Sequence, residues 1–395
     1  MTKPLDNVKV VDLTRVLAGP FSTMILSDLG AEVIKIEVPE GGDEARGVSP
    51  FKGNVSAYFM SINRGKKSVT LNLKDPRGKE IFLKLARWAD VVVENFRPGV
   101  MEKLGLGYER LKGVNPGLVY AACSGFGQTG PYAQRPAYDM IIQGMSGVIS
   151  ITGEANRPPV RVGVSIGDLA AALYTTVGIL TALHERERSG TGQMLDIAML
   201  DALIALLENA IARYDVTGEV PRPMGSRHPS ITPFQVFSSQ DGYVVLAISS
   251  DAQWEKFCRK VGRDDLADDL RFKTSASRSQ HADLLIPIVE EIMKGRTTEE
   301  WVDEMLQVGV PCGPLHTVDQ ALNDPHTKAR KMLAEVSHPK AGRFRMASNP
   351  IKFSKGEIEI TKPAPDLGEH TDEILMGILG MTKEEIGTLR NDGVV

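Results

Sequence analysis

Cysteine is scarce in this 395-residue chain. Cys123, Cys258 and Cys312 lie far apart and form no CxxC pair. An odd, scattered set excludes a disulfide framework and a thiolate zinc site, and leads us to expect reduced thiols in the cytoplasm or an organelle matrix. An excess of one charge is also lacking: 46 Lys and Arg stand against 50 Asp and Glu, a formal net charge of -4. Without a concentrated basic surface, neither nucleic acid nor a membrane is an expected partner. No run approaches the ~20 apolar residues of a bilayer span. The opening, Met1 to Asp6, passes straight into a strand pattern, so no signal peptide is expected. The 7 histidines include no HExxH spacing, and no metal is expected. GxGxxG, GxxxxGK[ST] and GxSxG are absent too, which argues against a dinucleotide, ATP or a serine-hydrolase elbow. No permanently bound cofactor is expected.

What the chain does contain is an alternation of strand and helix patterns. Val8–Leu13, Glu32–Ile36, Ser68–Leu73, Val91–Val93 and Leu118–Ala122 read as buried strands, with Phe21–Leu29 and a helix from Asp75 to Trp88 between them. Asp75-Pro76 supplies an N-cap and an N1 proline. Repeated βαβ units imply a parallel sheet with helices on both faces. A long small-residue helix from near Ser165 to Arg188, a strand at Met194–Ala198 and a helix from Leu200 to Tyr214 follow. The proline-rich passage from Gly218 to Gly225 reads as a linker. A second block begins with a strand at Tyr243–Ile248, with helices near 252–261 and 284–293 and a capping box at Thr297–Glu300. From Ala329 short strands lead to a helix around 372–379. The expected fold class is α/β: a large domain with a doubly wound, mostly parallel sheet, plus a smaller α+β domain. The tail fits either block.

Three regions could carry chemistry. Thr14–Pro20 follows the first strand, where open α/β sheets bind ligands, although a plain small-residue turn reads as well. Arg64, Lys66, Lys67, Lys74, Arg97 and Lys103 cluster around strand ends, and Asn95-Phe96-Arg97 places an amide, an aromatic and a guanidinium together. Such a set suits a phosphorylated ligand or, equally, a solvated basic face. In Ser165-Ile166-Gly167-Asp168, Ser165 fits an N-cap and Asp168 the third helical position. That carboxylate reads either as a helix cap, favoured by spacing alone, or as a nucleophile kept ionised by the helix start. Gly167 would leave room for a bulky substrate. Asp139, after Pro136-Ala137-Tyr138, opens another helix and invites the same two readings.

The runs Val11-Asp12-Leu13-Thr14-Arg15-Val16-Leu17-Ala18-Gly19-Pro20 and Asp28-Leu29-Gly30-Ala31-Glu32-Val33-Ile34-Lys35-Ile36-Glu37 resemble the opening of the family III CoA-transferases. Asn63–Ser68, Val93–Gly99, Gly125–Pro131, Gly167-Asp168 and Gly190–Gln193 extend the likeness over essentially the whole chain. The resemblance implies Asp168 as nucleophile, with acyl-CoA and a carboxylic acid as substrates. It implies CoA contacts at Val16, Leu17, Ala18, Leu71, Asn72, Leu73, Lys74, Asn95, Phe96, Arg97, Lys103, Pro136, Ala137 and the neighbouring Tyr138 and Asp139. Some relatives carry an arginine where Val38 stands, so the nucleotide must lean on other cations, with Arg64 and Arg97 as candidates. Gly225, Arg227 and His228 lie where relatives place a mobile lid, and Arg227 could pair with the second carboxylate of a dicarboxylic acid. His228–Gln235 with Asp241–Tyr243 resembles the succinyl-CoA:dicarboxylate branch. The family fold implies a ring-shaped monomer in an interlocked homodimer. The large domain would then span 1–200 and be completed by 329–395, with a linker at 201–228 and the small domain at 229–328. A 2-methylacyl-CoA racemase is the nearest rival enzyme, but relatives of that branch place His before Asp where Tyr138 stands, and tyrosine, at a reference pKa of ~10, is a poor base. A non-catalytic CoA-binding accessory subunit is the alternative from another class.

Overall fold

The computed structural model describes residues 3–395, and by contacts these divide into two units. The larger comprises 3–148, 162–215 and 325–395; the smaller comprises 149–161 and 216–324. The stretch expected as a linker, 201–228, opens with two helices, Met199–Leu206 and Glu208–Thr217, interrupted at Leu207.

The larger unit is built on a six-stranded parallel sheet. Its strands are β1 (Lys9–Asp12), β2 (Glu32–Glu37), β3 (Lys67–Thr70), β4 (Val91–Glu94), β5 (Val119–Ser124) and β6 (Met194–Ala198). Their spatial order is β3-β2-β1-β4-β5-β6, so the winding reverses between β1 and β4. Val10, Val11, Ile34, Val91 and Val92 are wholly buried, as expected of strands covered on both faces. Helices α1 (Ala18–Asp28), α2 (Pro76–Trp88), α3 (Asp139–Ser146) and α4 (Ile166–Ser189) position the site. Asp75 caps α2 through the Arg77 amide, with proline at the first helical position. The tail adds helices Thr371–Gly377 and Lys383–Asn391, whose Ile374, Leu375, Ile386 and Leu389 join the core beneath the sheet. The Asn72 amide bonds the Val394 carbonyl at 2.8 Å, fixing the end of the chain beside the strand-β3 loop.

Among the described residues α4 is long and apolar enough, by length and composition, to cross a membrane, unlike any run the sequence suggested. Half of that apolar stretch is buried in the structure. The smaller unit is a three-stranded antiparallel sheet, with Phe234–Ser238 and Cys312–Pro314 flanking Tyr243–Ala247. Phe237, Trp254, Phe257 and Trp301 centre its own core. The expected capping box at Thr297 and Glu300 is present.

At the carboxyl ends of β1 and β2 lies a fully buried charge cluster. Asp12 accepts Lys66 Nζ at 3.0 Å and the Thr23 hydroxyl at 2.7 Å, and also takes the Thr14 amide at 2.8 Å. Lys35 Nζ pairs with Asp43 at 2.9 Å and donates to the Thr14 carbonyl at 2.6 Å. Burial opposes ionisation of Asp12, but Lys66, Lys35 and the two hydroxyls overcome it and hold its pKa down at about 2. Removing one partner of such a cluster strands the other charges in a dry interior. Lys66→Met is therefore expected to lower stability by about 3 kcal/mol, read from chemical denaturation. Adding Asp12→Asn should restore part of that loss; a Lys66→Met protein as stable as wild type would show the pair to be dispensable.

Candidate active site

The β1/β4 switch point is where an open α/β sheet leaves a crevice. A cavity of ≈ 300 Å³ lies there, lined by Val16 to Ala18 after β1, Asn95 to Pro98 after β4, Cys123 to Gly125 at the end of β5, Pro136 to Tyr138 before α3, and Asp168. Arg15, Glu44, Ala133, Arg135 and Met199 complete its wall. Asp168, Val16, Leu17, Ala18, Asn95, Phe96, Arg97, Pro136, Ala137 and Tyr138 thus meet in one cavity. A second cavity of ≈ 260 Å³ holds Leu71, Asn72, Leu73 and Lys74 with Leu13, Ile36, Val38, Val100 and Leu104, and it is chiefly apolar.

The loop after β1 is shaped by the buried cluster. Val16 has φ of 67°, a left-handed conformation that a β-branched residue adopts only under constraint. The constraint is Asp43, which accepts the Val16 amide at 3.0 Å while Lys35 fixes the Thr14 carbonyl two residues earlier. Beyond Val16 the chain enters α1, and the Ala18 backbone amide reaches the Asp168 carboxylate.

Asp168 is the third residue of α4, as its spacing indicated. The capping assignment differs. Ser165 occupies the N-cap position but makes no side-chain cap bond. The amide to be satisfied is that of Gly167, and it is taken by Asp139 Oδ1 at 2.8 Å. Asp139 Oδ2 accepts Gln143 Nε2 at 2.7 Å, and Gln143 Oε1 accepts the Val162 amide at 3.0 Å. A Cβ on Gly167 would stand 3.0 Å from Asp139 Oδ1, so this glycine makes room for Asp139 and not, as the sequence suggested, for a substrate. Asp139 caps α4, which leaves Asp168 free to face the cavity.

The helix start does not keep Asp168 ionised as expected. Burial, and then the Asp139 carboxylate, push its pKa up to about 7, against the single amide of Ala18. Tyr58 lies within reach of the same field: burial first, then Asp168, raises it to about 12. Glu94, at the end of β4, is likewise pushed to about 7 by burial while accepting the Phe96 amide at 2.7 Å. That bond sets the turn carrying Asn95, whose side chain receives the Arg15 amide and donates to the Arg15 carbonyl, both at 2.8 Å.

Several expected cations go elsewhere. Arg64 is buried, with Nε and Nη2 on Asp28 at 2.9 and 2.8 Å and Nη1 on the Ala347 carbonyl, so its guanidinium is not presented to either cavity. Lys66 belongs to the Asp12 cluster, and Lys67 pairs with Glu32 and Glu373. Lys103 is exposed and lines neither cavity. Gly225, Arg227 and His228 belong to the smaller unit. Gly225 has φ of 65° and donates its amide to the Gly153 carbonyl at 2.8 Å, Arg227 lies 3.4 Å from Asp283, and the His228 ring rests on Phe234. Sequence reasoning missed Arg15, Glu44 and Asp43; only the position of Arg15 inside the strand-to-helix loop signalled a role.

The family model for CoA-transferase family III matches residues 5–371. The acetyl-CoA:oxalate CoA-transferase of Acetobacter aceti is 45% identical over 368 residues, covering 93% of each chain. The human succinyl-CoA:glutarate CoA-transferase is 38% identical over 394 residues, 100% of this chain and 90% of that one. Among solved structures, a CAIB/BAIF family protein from Brucella suis superimposes with a TM-score of 0.85 at 39% identity, over 96% of this chain and 100% of that one. The cavity at the switch point and these likenesses lead to one assignment: the chain belongs to CoA-transferase family III, and is an enzyme of that family.

Proposed function

We propose that this enzyme moves CoA from succinyl-CoA to a dicarboxylic acid through a covalent relay on Asp168. The observation that carries the reading is a carboxylate released from capping duty and turned into the cavity at the switch point. One Asp168 oxygen attacks the thioester carbon, the C–S bond breaks, and CoA leaves as a thiolate with an aspartyl anhydride behind it. The thiolate then attacks the aspartyl carbonyl and breaks the anhydride C–O bond, which releases succinate and leaves an aspartyl-CoA thioester. The acceptor carboxylate attacks that thioester and expels CoA thiolate to form a second anhydride. The thiolate then attacks the acceptor's carbonyl and breaks the anhydride C–O bond, giving the new acyl-CoA and regenerating the Asp168 carboxylate. A poorly solvated carboxylate with a raised pKa is the stronger nucleophile once ionised. The Ala18 amide is placed to hold the oxygen that gains charge on the aspartyl carbonyl.

The chemistry of CoA divides across the two cavities. The thiol end belongs with Asp168, and the apolar cavity with Val38, Leu71 and Leu73 suits adenine, with Lys74 near the phosphates. The dicarboxylate preference draws on the two relatives above, whose named acceptors, oxalate and glutarate, both carry two carboxylates. By the family resemblance, the segment from Gly225 to Ser230 is a mobile lid, and Arg227 pairs with the second carboxylate of a dicarboxylic acid. Two copies pair as an interlocked homodimer. In support, Leu173, Tyr174 and Val177 form an exposed apolar face along α4, an arrangement a second chain would cover.

Three outcomes test this reading. Asp168→Ala and Asp168→Asn should each lose CoA exchange by about 1,000-fold or more, measured with succinyl-CoA and a panel of acids. An acid whose folded pKa lies above its unfolded value penalises folding once the pH exceeds that value, so Asp168→Asn should melt no lower than wild type at pH 8. Near-normal exchange by either variant would reduce Asp168 to a helix residue.

The exchange rate of wild type should rise with pH through about 7, the region where Asp168 ionises. Glu94 titrates in the same region, so the assignment rests on Asp139→Asn, which removes the neighbouring anion and should move the midpoint to lower pH. A midpoint unmoved by that change would assign the titration elsewhere.

Arg227→Gln should raise KM for dicarboxylate acceptors by about tenfold and leave monocarboxylates almost unaffected. Equal effects on both classes would remove the clamp.

A further inference from the structure

The two cavities share a wall made of Arg15 and Phe96, the two residues that line both. The guanidinium of Arg15 lies over the Phe96 ring, 4.9 Å from its centroid, and its Nη1 is 2.6 Å from Glu44 Oε1. Its backbone is clamped on both sides by Asn95, so the side chain swings from a fixed root. A ligand with its thiol at Asp168 and its purine in the apolar cavity must carry its diphosphate across this wall. There it meets a planar donor suited to phosphate oxygens, and beside it a carboxylate of the wrong sign.

Resting on the reading that CoA spans both cavities, we propose that Glu44 is the resident counter-anion of Arg15, and that CoA binds by exchanging it for the diphosphate. The side chains of Arg15 and Glu44 are 46% and 60% exposed, and a surface pair of this kind is held only weakly because water screens it. The exchange is therefore cheap, and the diphosphate, with more negative charge and more acceptor oxygens, is the stronger partner. Glu44 stands at the start of a short turn whose cap, Asp43, is fixed by Lys35, so the carboxylate can rotate away without moving the loop. The pair keeps Arg15 ordered between turnovers, and its like charge repels any diphosphate that has not captured Arg15.

Calorimetric titration with CoA, at low and at moderate salt, tests the exchange. Glu44→Gln should bind CoA about fivefold tighter, and more so at low salt. Arg15→Gln should bind CoA about tenfold weaker, whereas its affinity for pantetheine, which has no diphosphate, should fall by less than about twofold. In the Arg15→Gln background, Glu44→Gln should lose its effect. The inference is overturned if Glu44→Gln binds CoA equally or more weakly, if its gain persists without Arg15, or if Arg15→Gln weakens pantetheine binding as much as CoA binding. Wild-type protein that fails to bind CoA at all would instead overturn the underlying reading, and the exchange with it.

Discussion

The site depends on four charges sealed in the protein: Asp12, Lys66, Lys35 and Asp43. Buried ion pairs are weak sources of stability, because desolvation offsets most of their attraction. What this cluster supplies is geometry. Asp12 seizes the Thr14 amide, Lys35 the Thr14 carbonyl and Asp43 the Val16 amide, so three bonds fix Thr14 and Val16 just beyond the end of β1. Val16 is driven into a conformation that costs about 1–3 kcal/mol for a residue of its kind, and the chain leaves it aimed so that Ala18 begins α1 beside Asp168. An apolar cluster of the same volume could fill the space but could not hold amides and carbonyls in place.

The two aspartates at opposite ends of that loop show how environment sets role. Burial acts on both and favours the neutral acid in each. Around Asp12 two lysines and two hydroxyls reverse it, to about 2. Around Asp168 there is one amide, and the nearest charge is another carboxylate, so the same residue type sits at about 7. The first is locked as a permanent anion with every lone pair engaged, as a structural group should be. The second can gain or lose its proton near neutral pH, with little around it to stabilise its charge.

Much of this was legible in the sequence. The central strands read as unbroken apolar runs because helices cover both faces of the sheet, and that pattern survives without neighbours to consult. Helix starts at Asp75 and Thr297 were legible because capping is local. The final helix, Lys383–Asn391, and the strand Phe234–Ser238 went unread, one short and largely polar in composition, the other set among prolines and serines. For the site, spacing left Asp168 between cap and nucleophile, and only the resemblance favoured one. The structure shows why local pattern was insufficient: the true cap, Asp139, is 28 residues in sequence from Gly167, whose amide it takes. Arg64 was misjudged for the same reason, since its partner Asp28 is 36 residues distant. A basic residue in a sequence carries no mark of whether its partner is a ligand or a carboxylate brought in by the fold.

That distinction decides which cations remain for a polyanionic substrate. Arg64, Lys66 and Lys35 are neutralised inside the protein, and Lys67 is held by two glutamates. The basic residues that line the two cavities are Arg15, Lys74, Arg97 and Arg135. Lys74 and Arg97 are exposed, Arg135 rests on the Tyr132 ring, and Arg15 alone stands in the wall between the cavities. A fully committed cation cannot release its partner for a substrate without stranding a charge, whereas a solvent-exposed pair can separate at the cost of about 1 kcal/mol or less. The fold therefore sorts its basic residues into two populations by burial. Those that shape the loop are permanent, and those along the cavities stay exchangeable, which is what the proposed binding and release of a nucleotide would require.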